Sequence, residues 1–267
     1  LRISKEYNSG ILTIGGGPRF TSQNANEEGA IEFFKKQPEC DVYIVNQGEI
    51  GFTNILQQYL DNGCDIQKLK KDSIDGVLVN SLSMYGKPLV GSFLNVLADL
   101  NEIPSPYLDG VMDAFFHENF MPIIETNRSC PFRCTFCAWG IGTEKLATFE
   151  ENRVFEEIDY IADRAKNVSS LFIADANFGI LERDADFAKK IYEGYERTAY
   201  PHHVAVQWSK TRSDRVLKTA ESFNGIAPIG ASMQSLNDDV LKIVKRKNLP
   251  LKTVSDFHDK LIQQRVH

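Results

Sequence analysis

The stretch SCPFRCTFCAWG, residues 129–140, gathers three of the chain's five cysteines within eight positions: Cys130, Cys134 and Cys137. It directly follows MPIIET (121–126), whose apolar run predicts a β-strand. Thiols are metal ligands, and a closed structural site needs four of them or their equivalents. The spacing therefore indicates a metal loop that begins where a strand ends and lacks one ligand.

Two kinds of metal site are compatible with such a loop, beside unliganded thiols. Structural zinc needs four Cys or His ligands, usually as two close pairs, and His117, His202 and His203 lie at no such spacing. Three thiolates instead suit a 4Fe–4S cluster with one open iron, since ligation by four cysteines serves electron transfer. Cys40 and Cys64 could in principle supply a fourth ligand, but small, half-buried residues are the expected role for both.

Composition limits the remaining function classes. The 267 residues are 42% hydrophobic and 25% charged, which suits one large domain or two of moderate size. No apolar run is long enough to cross a membrane, and five unevenly spaced cysteines predict a reduced, cytoplasmic compartment. The net charge of −6 argues against a nucleic-acid partner. Because the chain begins at Leu1 and stops within a helical pattern, we expect a fragment of a longer protein.

The first part of the chain predicts a Rossmann-like α/β domain. Strand and helix patterns alternate with short connections, which implies a parallel sheet: strand 11–14, helix 27–36, strand 41–45, helix 49–63, then a strand and hairpin over 73–89. Two prolines in LNEIPSPYLDG (100–110) favour extended backbone. These patterns predict a first domain over 1–104, a linker over 105–122 and a second domain over 123–267.

The second part predicts about four βα units, half of a TIM-type barrel. Its helices are expected to have a capping box at Thr148–Glu151, a Ser213 cap and an Asn237 cap. Because strand ends of such a sheet collect at one face, sites are expected there. The predicted elements are strand 121–126, helix 148–166, strand 170–175, helix 183–196, strand 202–208, helix 213–223, strand 225–234 and helix 237–248.

The cysteine loop resembles the signature of the radical S-adenosylmethionine (SAM) superfamily. The resemblance lies in the Cys-x₃-Cys-x₂-Cys spacing, with Phe136 before the last cysteine and Arg128 before the first. It implies that Cys130, Cys134 and Cys137 hold a 4Fe–4S cluster whose open iron takes the amino and carboxylate groups of SAM. It also implies that Phe136 lies at the SAM site.

Further positions match the superfamily at strand ends. FIADANFG (172–179) falls where the family places polar groups for the SAM amino group, so the resemblance assigns Asp175 and Asn177 there; the frequent Gly-Gly-Glu is absent, and a turn or helix cap is the alternative for Asp175. VQWSK offers Gln207 or Ser209.

A third match lies near the C-terminal end of the chain. SMQSLNDDVLKIVKR (232–246) is similar to a stretch of the oxygen-independent coproporphyrinogen oxidase branch. There a glutamine reaches the SAM ribose and an arginine pairs with the SAM carboxylate, positions that match Gln234 and Arg246. A guanidinium binds a carboxylate bidentately, which suits that role. The alternative for the basic run 242–248 is a solvated helix face.

The order of parts resembles cobalamin-dependent radical SAM enzymes, with the Rossmann-like domain as the cobalamin-binding domain. Glycines after its strands permit close approach of a bulky ligand, which assigns Gly15, Gly16, Gly17, Gly48 and Glu49 to cobalamin. A tight turn is the alternative for the glycine run.

The resemblance implies a cluster, SAM and cobalamin acting together. The 5′-deoxyadenosyl radical made from SAM would remove hydrogen from an unactivated carbon of a small-molecule or natural-product substrate, and methylcobalamin would then methylate that carbon. An electron donor such as flavodoxin or ferredoxin is implied. The alternatives are a cobalamin-dependent cyclase or rearrangement enzyme, a non-catalytic iron–sulfur or metal-binding module, and an RNA-modifying enzyme.

Overall fold

The computed structural model describes residues 1–21, 24–93, 97, 99–137, 139, 145–165, 167–230, 232–249, 251, 252, 254, 255 and 259. The chain divides into two compact units, Leu1–Ala98 and Asp99–His267. The division lies six residues before the expected boundary, and the segment expected to be a linker packs within the second unit. There the Tyr107 hydroxyl donates to the Ile123 carbonyl (2.7 Å). No helix in the described ranges is both long and apolar enough to span a bilayer.

The first unit is an α/β domain around a four-stranded sheet of order β1-β2-β3-β4. β1 and β2 are parallel, whereas the pairs β2–β3 and β3–β4 are antiparallel. The elements are α1 (Arg2–Tyr7), β1 (Ile14–Gly15), α2 (Glu27–Lys36), β2 (Val42–Ile44), α3 (Gly48–Asp61), α4 (Ile66–Leu69), β3 (Val77–Val79), α5 (Leu82–Tyr85) and β4 (Leu89–Val90).

The predicted helices of this unit, the parallel pair β1–β2 and the hairpin over 73–89 are confirmed, whereas the antiparallel pairing of β2 with β3 was not expected. α2 has the predicted bounds and is capped by Asn26, whose side chain accepts from the Gly29 N–H (2.8 Å). The short helix α4 follows α3 after Asn62-Gly63. The chain therefore reverses its direction once more before β3. As a result, β3 runs antiparallel to β2.

The middle strand β2 is covered on both faces. On one side Tyr43 meets Phe20 and Phe33 edge to face, with ring centroids 5.2 and 5.1 Å apart. On the other side Val42 and Ile44 pack in a cluster with α3, α4 and β3. Cys40 is buried with the first cluster, and Cys64, expected to be half-buried, is exposed.

The second unit contains a parallel sheet of order β5-β8-β9 and a separate antiparallel hairpin, β6–β7. Helices follow the strands as the predicted βα alternation requires. The elements are β5 (Ile123–Ile124), β6 (Asn127–Arg128), β7 (Ala147–Thr148), α6 (Glu151–Arg164), β8 (Ser170–Phe178), α7 (Asp184–Thr198), β9 (His203–Trp208), α8 (Ser213–Ser222) and α9 (Asp238–Ile243), with 3₁₀ turns at Leu100–Glu102 and Asp113–His117.

The fourth predicted strand, 225–234, is wrong for the described residues 225–230 and 232–234, which contain no strand. The segment does lie beside β9, since the Val204 N–H donates to the Ile226 carbonyl (2.8 Å) and the Trp208 indole donates to the Pro228 carbonyl (2.8 Å). Pro228 has no N–H to continue a ladder. The strand-like run therefore follows its neighbour without forming a regular ladder.

Two predicted helix caps are wrong and one is confirmed. Thr148 lies in β7, and α6 begins after Glu150 without a side-chain cap. Ser213 is the first residue of α8, whose cap position is Arg212. Asn237 caps α9, accepting from the Asp239 and Val240 N–H groups (2.9 and 3.1 Å).

A buried carboxylate connects three parts of the first unit. Asp41, next to β2, lies 2.6 Å from the ammonium groups of Lys5 and Lys70 and accepts from the Thr13 N–H and hydroxyl, both at 2.9 Å. Burial alone would raise the pKa of Asp41, but hydrogen bonds from both lysines outweigh it and hold that pKa below its ordinary value. Because α1 has no buried residue, Lys5 is its main attachment.

Asp41→Asn is expected to destabilise the first unit by about 3 kcal/mol, because two ammonium groups lose their counter-ion. Because the pKa of Asp41 is lower in the folded than in the unfolded state, ionised Asp41 stabilises the fold at pH values above the ordinary aspartate pKa. This contribution to the free energy of unfolding is lost as pH falls through the folded-state pKa. The difference between wild type and variant should therefore shrink in acid. Urea titration with hydrogen exchange of residues 11–15 and 41–45 measures it.

Glu32→Gln is the matched control, because Glu32 pairs with Lys36 on an exposed helix face. Its stability should stay near that of wild type. Equal stability of Asp41→Asn and Glu32→Gln would contradict a structural role for Asp41.

Candidate functional site

The site is built where β8 ends, beside the cysteine loop. The pairing of β8 with β9 is irregular between Ile173 and Phe178, and this irregular stretch contains Asp175 and Asn177. Both are essentially fully buried, at 0% and 1% exposure. Two residues apart on a strand, their side chains lie on one side of the sheet, and both contact the segment that leads into the loop.

Asp175 holds the two residues, Thr126 and Asn127, that precede the cysteine loop. Its carboxylate accepts from the Thr126 N–H (2.7 Å) and hydroxyl (2.5 Å) and from the Asn127 N–H (3.2 Å) and side-chain amide (2.5 Å). Burial raises the pKa of Asp175 to about 7, although the hydrogen bonds from Thr126 and Asn127 lower it. Its geometry matches the alternative of a turn-anchoring residue, and a role with the SAM amino group stays a prediction.

Asn177 contacts the first cysteine directly. Its side-chain Nδ2 lies 3.1 Å from the Sγ of Cys130, and its Oδ1 accepts from the Lys210 ammonium at 3.1 Å. Lys210 lies two residues beyond β9. Ends of two neighbouring parallel strands thus converge on one thiol.

The second half of the loop is held by another element. Cys134 is buried, Cys130 and Cys137 are half-buried, and the Cys137 N–H donates to the Cys134 carbonyl (3.1 Å) in a tight turn. The Thr135 N–H donates to the Val244 carbonyl just beyond α9 (3.1 Å). Among the described residues, no three His, Cys, Asp or Glu side chains lie close enough together to hold a metal ion.

The other residues near the cysteines differ in exposure, with Phe136 exposed and Arg128 and Ser129 half-buried. Phe136 is 52% exposed, and Arg128 forms an ion pair with Glu125 (2.7 Å). Ser129 has φ +82°, an uncommon conformation for a residue other than glycine. Ala138 and Gly140, part of the CAWG match, lie outside the described residues.

Two residues that the sequence analysis did not identify support this region. Arg183 donates to the carbonyls of Phe149 (2.6 Å) and Thr126 (2.7 Å), which joins α7 to both strands of the β6–β7 hairpin region. Asp184 is fully buried and accepts from the Gly179 N–H (2.8 Å) in the turn after β8. Burial raises the pKa of Asp184 to about 6. Both lie at the start of the predicted helix 183–196, a position that does not by itself indicate contacts with the hairpin region.

The other predicted SAM residues are not brought together with Asn177 by any described contact. The Ser209 hydroxyl donates to the Thr211 carbonyl (3.0 Å), and Gln207 and Gln234 are exposed. Arg246 is buried and donates to the Ser232 carbonyl (2.5 Å). All four assignments stay predictions.

Arg246 also lines a cavity of about 1030 Å³. The cavity wall combines apolar side chains with several cationic ones, and Asp238 is an acidic member. The described cationic members are Arg212, Lys242, Lys245, Arg246 and Lys247. Such a wall suits an anionic group, which is compatible with the carboxylate role predicted for Arg246.

The predicted cobalamin residues lie where β1 and β2 end. A Cβ on Gly15 would lie 2.8 Å from the Tyr43 ring, whereas Cβ atoms on Gly16 and Gly48 would meet nothing within 4 Å. Gly17 has φ +109°. Because β1 and β2 are parallel, their ends share one sheet edge, and Gly16 and Gly48 leave open backbone there. Glu49, in the first turn of α3, is half-buried.

A sequence model of the radical SAM superfamily matches residues 124–266. Two curated proteins match along the whole chain. The cobalamin-dependent radical SAM methyltransferase TokK of Streptomyces tokunonensis is 33% identical, and the 2-(S-pantetheinyl)-carbapenam-3-carboxylate methyltransferase of Streptantibioticus cattleyicolor is 31% identical. The chain spans 38% of the length of each.

Solved structures show the same fold at low identity. The cobalamin-dependent radical enzyme OxsB with aqua-cobalamin and SAM bound has a TM-score of 0.53 at 18% identity, over 91% of this chain and 34% of that one. The radical SAM methyltransferase TsrM of Kitasatospora setae has a TM-score of 0.61 at 12% identity, over 95% of this chain and 48% of that one. These two structures support the α/β arrangement predicted for both units.

Asp175→Asn is expected to remove a pH-dependent loss of stability. A carboxyl whose pKa is raised to about 7 in the fold destabilises it progressively as pH rises from the ordinary aspartate value towards 7. Wild type should therefore lose stability relative to the variant between pH 4.5 and 8. Urea titrations at both pH values measure it, and a constant difference would contradict the raised pKa.

Proposed function

This chain belongs to the radical SAM superfamily, and we propose that it forms part of a cobalamin-dependent radical SAM methyltransferase. The family match covers more than half of the chain. The names of two relatives that match its whole length support the methyltransferase activity, and the name of one of them, TokK, supports the use of cobalamin. The observation that carries the proposal is the three-thiol loop between β6 and β7, with Asn177 of the parallel strand β8 at its first sulfur.

Cys130, Cys134 and Cys137 are proposed to hold the 4Fe–4S cluster. Three soft thiols in one loop suit iron. The backbone N–H groups of Thr126 and Asn127, just before the loop, are held by hydrogen bonds to Asp175.

The SAM site is proposed to lie beside this loop. Phe136, Asp175, Asn177, Ser209, Gln234 and Arg246 remain its proposed residues. Arg246 is the best placed of the distant ones, because its guanidinium lines a cationic cavity that a carboxylate could enter.

Cobalamin is proposed to bind the first unit at Gly15, Gly16, Gly17, Gly48 and Glu49. The residues fit the group, because open backbone at Gly16 and Gly48 lets a bulky ring approach the sheet edge. Gly15 instead contributes by packing on Tyr43, which keeps β1 close to β2.

The bound groups supply an electron for cleaving SAM and a methyl group for the substrate carbon. The chain's own residues position them, with β8 fixing the loop and β1 and β2 presenting the glycines. One relative's name specifies a pantetheinyl carbapenam carboxylate, which supports a small-molecule substrate here. An electron donor such as flavodoxin or ferredoxin is proposed as the partner.

Replacing any of the three loop cysteines by alanine should abolish both the cluster and SAM cleavage. Anaerobic reconstitution with iron and sulfide, followed by EPR with and without SAM, measures the cluster. Release of S-adenosylhomocysteine together with 5′-deoxyadenosine would support methyl transfer. Cys64→Ser is the control, because Cys64 is exposed in the other unit. Retained SAM cleavage in Cys134→Ala would refute the assignment.

Gly16→Val tests the cobalamin site separately. A Cβ at Gly16 would meet no atom within 4 Å, so the small valine side chain should leave the fold unchanged while it obstructs ligand approach. Cobalamin affinity should fall about tenfold, equivalent to about 1.4 kcal/mol, as measured by absorbance titration. Gly230→Val, at an equally open glycine of the second unit, is the control. An unchanged cobalamin affinity in Gly16→Val would argue against a cobalamin site at the sheet edge where β1 and β2 end.

A further inference from the structure

Lys210 is a charged residue with one described partner. It is half-buried, it follows β9, and it forms no ion pair with the described part of the chain. Its ammonium lies 3.1 Å from the Oδ1 of Asn177. Partial burial of an ammonium group is offset when the group donates a hydrogen bond, and the described acceptor for Lys210 is Asn177.

The chemistry of this contact determines how the Asn177 amide is oriented. An ammonium group can only donate hydrogen bonds, so it requires the amide oxygen on its side. The amide NH₂ is then directed to the other side, where the Sγ of Cys130 lies 3.1 Å away. A reversed amide would direct an N–H at the ammonium, which is unfavourable, and would place its oxygen against the sulfur, which is unfavourable for a cluster-bound thiolate.

We propose that Lys210 is a positioning residue that holds Asn177 as a hydrogen-bond donor to the Cys130 sulfur, and that this contact raises the reduction potential of the cluster. The inference rests on the proposed function, since it concerns the cluster that Cys130 would bind. It assigns Asn177 to the sulfur and gives Lys210 an indirect role through the amide.

The direction of the effect follows from charge. Reduction adds an electron, part of which resides on the sulfur ligands, so an N–H donor stabilises the reduced cluster more than the oxidised one. Hydrogen bonds to the sulfurs are among the factors that set such potentials. Asn177 is 1% exposed, so water cannot readily replace the lost donor.

A double-mutant cycle tests the proposal on the full 267-residue chain reconstituted anaerobically. Lys210→Met removes the group that orients the amide, Asn177→Leu removes the donor, and the third variant combines both. EPR-monitored redox titration gives the ratio of reduced to oxidised cluster at a fixed potential. Lys210→Arg keeps a donor-only cation and should behave as wild type. Lys218→Met, on the exposed side of α8, controls for loss of a positive charge.

Each single variant should lower the reduced-to-oxidised ratio about tenfold, equivalent to about 59 mV for one electron. The double variant should show no further change, because Lys210 acts through Asn177. Additive shifts would mean that Lys210 acts by its charge alone, and an unchanged potential in Lys210→Met would exclude any role; either result overturns the proposal.

A metal-free measurement separates this inference from the proposed function. In the ¹⁵N-labelled chain without iron, the Asn177 side-chain amide protons should exchange slowly with water and lose that protection in Lys210→Met. Equal exchange in both would overturn the orienting role. A wild-type chain that takes up no cluster would refute the proposed function, while the amide exchange would still decide whether Lys210 orients Asn177.

Discussion

The carboxylate of Asp175 is the contact on which the rest of the site depends. It receives four hydrogen bonds from two consecutive residues, Thr126 and Asn127, at the point where the chain leaves β5 and turns into the β6–β7 hairpin. Neither residue has another described way to satisfy its buried backbone N–H, and an unpaired buried donor is costly. The contact therefore fixes where the cysteine loop begins relative to the sheet.

Two separate elements hold the two ends of the loop. Asn177 on β8 contacts Cys130, and the segment after α9 binds the backbone of Thr135. Phe136, directly after the second attachment, is exposed. Cys130 is thus contacted by a side chain of β8, whereas Cys134 and Cys137 lie in the turn whose backbone is bound by the segment after α9. Contacts from two elements suit the proposed cluster site, because a preorganised site needs its ligating side chains held in place.

Much of this site was predictable because spacing and strand ends are local properties. The three cysteines and the two polar residues of β8 could be identified from the sequence, since strand ends collect at one face. Lys210 and Arg183 could not, because a lysine or arginine beyond a strand usually lies in solvent. Within the described residues 225–230 and 232–234 no strand forms, and Pro228, which has no N–H for a strand ladder, is a local cause that the apolar pattern concealed. The antiparallel direction of β3 follows from the chain reversal at the short helix α4. This helix has only four residues, too few to show the hydrophobic periodicity of a helix in the sequence.

Adjacent glycines show why a glycine run alone cannot identify a ligand site. Gly15 lacks a side chain because the Tyr43 ring occupies that space, and this ring also stacks against Phe20 and Phe33. Gly16 has open space instead, and only such a position is free to admit a ligand. The parallel pairing of β1 with β2 then brings Gly48 to the same edge. A binding role thus requires both an open glycine and a neighbouring strand that ends beside it, and the first unit provides the two together.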